Sequence, residues 1–184
     1  MKESLGSLLL LVVWTTFTQS APGGVTVYRS YQTMAAASAV SNRATAVTSG
    51  PQAHWFGYYD KDQLDPSGRY LLALQTSFEH RLPKPGEAAE VGMIDLQDGN
   101  RWIALGESRA WCWQQACMLQ WRPGSAHEAV WNDREGDRFV CRVLNVRTRA
   151  VRTLPRAVGH LSPDGRTAVC EDFSRAWDFR PGYG

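Results

Sequence analysis

A turn built on proline and glycine recurs three times in this 184-residue chain, each time directly before a run of strand-forming residues. Proline presets φ at the second position of such a turn, and glycine accepts the positive φ that closes it. The prolines stand at positions 66, 123 and 163. Strand-rich repeats of roughly 40–50 residues are typical of the blades of a β-propeller. The turns therefore indicate that the chain is organised as successive small sheets.

The apolar runs between these turns fit four strands to a repeat. We predict an all-β fold, an incomplete β-propeller of about two and a half four-stranded antiparallel blades. A polar, proline-containing insertion over residues 79–90 accounts for the longer first repeat. A small β-sandwich would also explain the strand spacing, but it would not explain the repeated turn. The predicted strands are 58–64, 70–75, 91–96 and 101–105 in the first blade, 117–121, 128–132, 139–145 and 151–154 in the second, and 157–161 and 167–171 in the third.

The first fifty residues differ in character from the rest. Lys2 precedes an apolar run over residues 5–14, and small and polar residues follow, which is the pattern of a secretory signal. The run is too short for a stable membrane span. We therefore predict a signal peptide over 1–20, a linker or disordered leader over 21–50, the N-terminal part of a propeller domain over 51–184, and a periplasmic or secreted location. The alternative is a mis-assigned start codon, with Met34 as the true start.

Charge and cysteine content exclude two classes of function. The net charge is +2 and no basic stripe is present, so nucleic acid is not an expected partner. The four cysteines have neither the paired spacing nor the nearby histidines of a zinc site. Burial in strands is the expected state of these thiols, although export would permit disulfides. The cysteines are Cys112, Cys117, Cys141 and Cys170.

Three segments give the chain a family resemblance. They are residues 54–61 (HWFGYYDK), 118–125 (MLQWRPGS), and 172–175 (DFSR) together with 180–184 (RPGYG). Over residues 51–184 the chain resembles bacterial exported WD-repeat-like β-propellers, related to the Tol-associated and oligogalacturonate-lyase types. The resemblance implies an N-terminal fragment of such a propeller. Lyases of that type bind a divalent metal through residues of later blades, so the resemblance assigns no metal ligand and no cofactor to this chain.

Blade topology predicts which residues meet a ligand. Loops that lead into the inner strand and loops that join the second strand to the third leave a propeller on one face, opposite the Pro/Gly turns. Binding residues usually lie on loops held by a rigid scaffold. We therefore expect ligand binding on the first face, by Tyr58, Asp60, Lys61, His80, Arg81, Asn132, Asp133 and Arg175.

Each of these residues also has a purely structural interpretation. Packing between blades would account for Tyr58, a structural ion pair for Asp60 and Lys61, and a solvated loop for His80. Asn132 and Asp133 form a good turn pair by themselves. What favours a site is the combination of aromatic rings, carboxylates and arginines on one face.

Two functions compete at this stage. We expect a truncated propeller module that binds an acidic or neutral oligosaccharide, or a protein partner, in a full-length parent and has no independent activity. The alternative is part of an oligogalacturonate-type lyase whose catalytic and metal residues lie in further blades. Such a lyase needs a base and a group that holds the substrate carboxylate. Arg81, Arg134 and Arg175 could hold a carboxylate by bidentate hydrogen bonds, but the sequence identifies no base.

Overall fold

The computed structural model describes residues 44–183, and their backbone is built mostly of antiparallel strands. The predicted signal peptide, Met34 and most of the predicted linker lie outside the described residues. Residues 44–50 contain neither helix nor strand. Within 44–183, no helix combines the length and the apolar character needed to cross a bilayer.

Two four-stranded sheets and one two-stranded sheet follow one another along the chain. In each sheet the hydrogen-bonded neighbours are also neighbours in sequence, so each is a simple meander. The first sheet contains β1 (Ala53–Trp55), β2 (Tyr70–Thr76), β3 (Ala89–Asp95) and β4 (Arg101–Ser108). The second contains β5 (Gln120–Trp121), β6 (Glu128–Glu135), β7 (Arg138–Asn145) and β8 (Val151–Leu154). The third is the hairpin of β9 (Val158–Leu161) and β10 (Ala168–Cys170), and helix α1 (Phe173–Phe179) follows it.

The three repeated turns close as their sequences require. In the first turn the Gly68 N–H donates to the carbonyl oxygen three residues earlier, at 2.8 Å. The Gly165 N–H does the same in the third turn, also at 2.8 Å. In the second, Gly124 occupies the third position with a φ of +72°, the geometry of a type II turn after proline. Each turn leads into the second strand of its sheet, as predicted.

Strand β6 of the middle sheet is buried on both faces, and its side chains alternate between the two. On β6, Ala129 and Trp131 join a large apolar core shared with the first sheet. Val130 points the opposite way and packs with Val158 of β9. Three layers are therefore stacked in chain order, which a closed two-sheet sandwich does not produce.

Two predictions about chain path are wrong. The predicted inner strand over 58–64 is instead β1 at Ala53–Trp55, which pairs with β2, followed by an excursion that returns to the ladder at an isolated bridge between Leu64 and Leu71. Close approach of Gly57 to the segment between β4 and β5 accompanies this excursion: a Cβ there would lie 3.3 Å from the Gln115 carbonyl oxygen. Helix α1 was not predicted either, although Asp172 caps it by accepting from the Arg175 N–H at 3.1 Å.

Two predictions about individual side chains are also wrong. Asn132 and Asp133 do not form a turn, because β6 continues through both to Glu135, and the tight turn falls on Gly136, whose φ is +60°. Cys170 is exposed, whereas the other three cysteines are buried as expected. All four thiols are free in this structure.

Candidate functional site

A groove with a cavity volume of about 550 Å³ opens beside the first sheet. Three segments far apart in sequence form its walls: strand β1, the loop between β2 and β3, and the segment that leads from β4 to β5. Its lining residues are Ala53, His54, Trp55, Glu79, His80, Arg81, Leu82 and Trp113. Ligand sites typically have volumes of about 300–1,000 Å³ and combine apolar walls with a few polar groups.

Aromatic rings form the rigid part of the groove. The ring centroids of Trp55 and Trp113 lie 4.6 Å apart at 48°, and Trp111 and Phe78 pack behind them. The indole N–H of Trp113 donates to the Arg81 carbonyl at 2.6 Å. That bond fixes the indole against the β2–β3 loop, so the aromatic surface is in place before any ligand arrives.

A bidentate ion pair holds the β2–β3 loop. The Arg81 guanidinium donates to both carboxylate oxygens of Glu87, at 2.7 and 2.8 Å, and lies 3.5 Å over the Phe78 ring. Hydrogen bonding from Arg81, supported by the Lys84 N–H, lowers the pKa of Glu87 to about 2. The guanidinium that the sequence suggested as a carboxylate clamp is therefore already occupied by a carboxylate of its own chain.

Two histidines also line the groove. The His54 Nε2 lies 3.0 Å from the Gln75 Oε1. His80, at a φ of +61°, is largely exposed and pairs with Glu79 at 3.1 Å. The Trp55 indole N–H is buried and has no hydrogen-bond partner among the described residues, and such orphaned donors are rare in folded proteins.

The predicted pair Asp60–Lys61 lies elsewhere, in the excursion after β1 and beside strand β9. The Lys61 side chain is only 2% exposed, and its Nζ lies 3.2 Å from the Asp60 Oδ2 and 3.2 Å from the His160 Nδ1. A buried ammonium needs such partners, since leaving it unpaired is costly. Lys61 thereby links the excursion after β1 to strand β9.

Asn132 and Asp133 hold the layers together from within β6. The Asn132 side chain accepts from the Val158 N–H at 2.8 Å and donates to the Val158 carbonyl at 3.0 Å. Asp133 accepts from the Arg109 backbone N–H at 3.0 Å and from the Arg142 guanidinium. Both side chains are buried, and their hydrogen bonds are internal.

Tyr58 and Arg175 lie outside the groove as well. The Tyr58 ring is 4.4 Å from that of Tyr59, and hydrogen bonding between the two hydroxyls raises the pKa of Tyr58. Arg175 is exposed on α1, 5.8 Å from the Phe179 ring.

Of the eight residues predicted from sequence to bind a ligand, only His80 and Arg81 line the groove. The other lining residues that carry a polar or large side chain were not among those predicted: His54, Trp55, Glu79, Leu82 and Trp113. The aromatic Trp55 beside His54 in β1 was the signal that could have identified this wall of the groove.

Among residues 44–183, no group of three or more histidine, cysteine, aspartate or glutamate side chains is arranged to hold a metal ion. No protein-family model, curated protein or solved structure matches the chain.

Proposed function

We propose that residues 51–183 are successive blades of a β-propeller and that their role is to bind a ligand, an oligosaccharide or a segment of a protein, in the groove beside the first sheet. The observation that carries the proposal is the groove itself. Its walls come from three separate segments, and it joins fixed indole rings to imidazole and carboxylate groups. The resemblance to exported bacterial propellers agrees with this role.

The stacking of the sheets supports the propeller. Successive blades of a propeller pack against one another, and here the backbone N–H of Trp121 in β5 donates to the Asp62 carbonyl in the excursion after β1 at 3.1 Å. Lys61 of the same excursion reaches His160 of β9. The turns of the second and third sheets also lie side by side, since the Arg122 Nε donates to the Gly165 carbonyl at 3.1 Å. A propeller arranges short sheets around a common centre. Such an arrangement brings neighbouring sheets into contact near the centre and also places their turns side by side.

The groove favours binding over lyase chemistry. A lyase acting on a uronate needs a cation to hold the carboxylate and a base beside the carbon that loses its proton. The arginine of this groove is paired with Glu87. The imidazole of His54 is held by Gln75. These groups are suited to hydrogen bonding with a ligand and to shaping the groove.

The proposal is tested by binding of the full chain to immobilised panels of oligosaccharides and peptides. The key variant is Trp113→Ala, which removes one aromatic wall. Trp177→Ala is the matched control, because Trp177 is also partly exposed (42%) but lies on α1 outside the groove. Loss of binding in Trp113→Ala and retention in Trp177→Ala supports the proposal.

Two results would contradict it. The first is binding that survives Trp113→Ala and is lost in Trp177→Ala. The second is an unsaturated uronate product, detected by its ultraviolet absorbance when the chain is incubated with oligogalacturonate, which would make the chain catalytic.

A further inference from the structure

We infer that the ligand of this groove is an uncharged oligosaccharide, which deepens the proposed function and rests on it. Three features carry the inference: the charge of the groove, its fixed indole faces and the kind of polar group at its edge.

The charge of the groove opposes an acidic sugar. Glu79 and Glu87 supply two negative charges, and Arg81 supplies one positive charge that both oxygens of Glu87 neutralise. The bidentate geometry uses the fork of the guanidinium that would otherwise grip a ligand carboxylate. An incoming uronate would therefore meet a site with excess negative charge and no free guanidinium fork.

The indole faces suit the apolar face of a sugar ring. Trp55 and Trp113 pack against each other at 48°, so together they form one continuous bent aromatic wall for a sugar ring. Trp113 is fixed by its bond to the Arg81 carbonyl. Rigid amphipathic aromatic side chains supply contact area at little conformational cost.

The polar groups at the edge match hydroxyls, which both donate and accept. The His80 side chain, 86% exposed, carries a ring N–H donor. When the His54 Nε2 donates to Gln75, its Nδ1 remains an acceptor. The Glu79 carboxylate, 62% exposed, accepts as well. An extended peptide would instead need a long free strand edge, and β1, with three residues, offers a short one.

The test measures the affinity of the full chain for neutral oligomers of glucose, mannose, galactose, xylose and N-acetylglucosamine, for uronate oligomers of equal length, and for peptides. We expect a neutral oligomer to bind about tenfold or more tightly than its uronate counterpart, a difference of about 1.4 kcal/mol. Glu87→Gln frees the Arg81 fork, so the ratio of uronate affinity to neutral affinity should rise by about tenfold. The ratio cancels any loss that loosening of the β2–β3 loop causes for both ligands. Glu107→Gln, at an exposed glutamate outside the groove, should change neither affinity.

The possible failures are distinguishable. Uronate binding tighter than neutral binding, or binding of peptides alone, overturns this inference and leaves the proposed binding function in place. The absence of binding by every member of the three panels overturns both.

Discussion

Replacing Asn132 by alanine should undock the β9–β10 hairpin from the second sheet. The Asn132 amide completes the hydrogen bonding of one residue, Val158, by accepting from its N–H at 2.8 Å and donating to its carbonyl at 3.0 Å. Asn132 is 3% exposed and Val158 is 2% exposed, so water does not reach these groups in the folded chain. The Asn132 side chain therefore makes the two hydrogen bonds that a neighbouring strand would otherwise make with Val158.

The magnitude follows from the groups left without partners. Each buried backbone group that loses its hydrogen bond costs about 1–3 kcal/mol, so two give about 2–6 kcal/mol. Asn132 also borders a cavity of about 10 Å³. Truncation enlarges that cavity enough to admit water, which can satisfy the freed groups in part. We therefore expect a loss of about 2–4 kcal/mol in the free energy of unfolding.

Urea denaturation followed by tryptophan fluorescence measures this loss, and hydrogen exchange of the Val158 amide locates it. Asn145→Ala is the matched control, because Asn145 accepts two backbone N–H bonds at 3.0 Å in an exposed turn where water can replace it. The control should cost about 1 kcal/mol or less. Equal losses in the two variants, or unchanged protection at Val158, would refute the reasoning.

Three further predictions concern packing, thiol reactivity and pH. Gly92→Ala should cost about 1–3 kcal/mol in thermal or urea unfolding, because a Cβ there would lie 2.2 Å from the Trp102 ring; wild-type stability would contradict it. Iodoacetamide should label exposed Cys170 well before Cys141, whose pKa burial raises to about 12; peptide mass spectrometry that finds equal rates would contradict it. Because the pKa of Glu87 falls from 4.5 to about 2 through its arginine partner, the pair should hold the β2–β3 loop at pH 4.5 and above and release it only as pH falls towards 2; an NMR titration of Glu87 with a midpoint near 4.5 would contradict it.

Much of the strand order could be predicted from the sequence because local chemistry decides it. The Pro/Gly turns contain the residues their φ values require, and β8 falls on residues 151–154 as predicted. The inner strand of the first sheet was misplaced because Tyr58 and Tyr59 have high strand propensity. Contacts with the second sheet decide the path there, since the Asp62 and Gln63 carbonyls accept from Trp121, and local pattern does not contain such contacts.

The candidate site was harder to predict for a related reason. Asn132 and Asp133 have the residue types of a turn, yet they are buried in β6, and their side chains hold Val158 and Arg142. A polar side chain binds a ligand or stabilises the fold according to which backbone groups lie opposite it. Those backbone groups belong to segments that are distant in sequence. Helix α1, with seven residues, is too short to show a reliable helical period.

The most direct test of ligand binding in the groove follows the indole N–H resonances of the isotope-labelled chain by NMR while a neutral oligosaccharide is added. Trp55, whose N–H has no partner, and Trp113 should both shift in a saturable manner. Trp121 and Trp131, whose N–H groups are bonded at 2.8 and 3.1 Å to the carbonyls of Gln63 and Glu107, should not move. Shifts confined to Trp177 on α1, or unchanged Trp55 and Trp113 resonances at saturating oligosaccharide, would contradict the account.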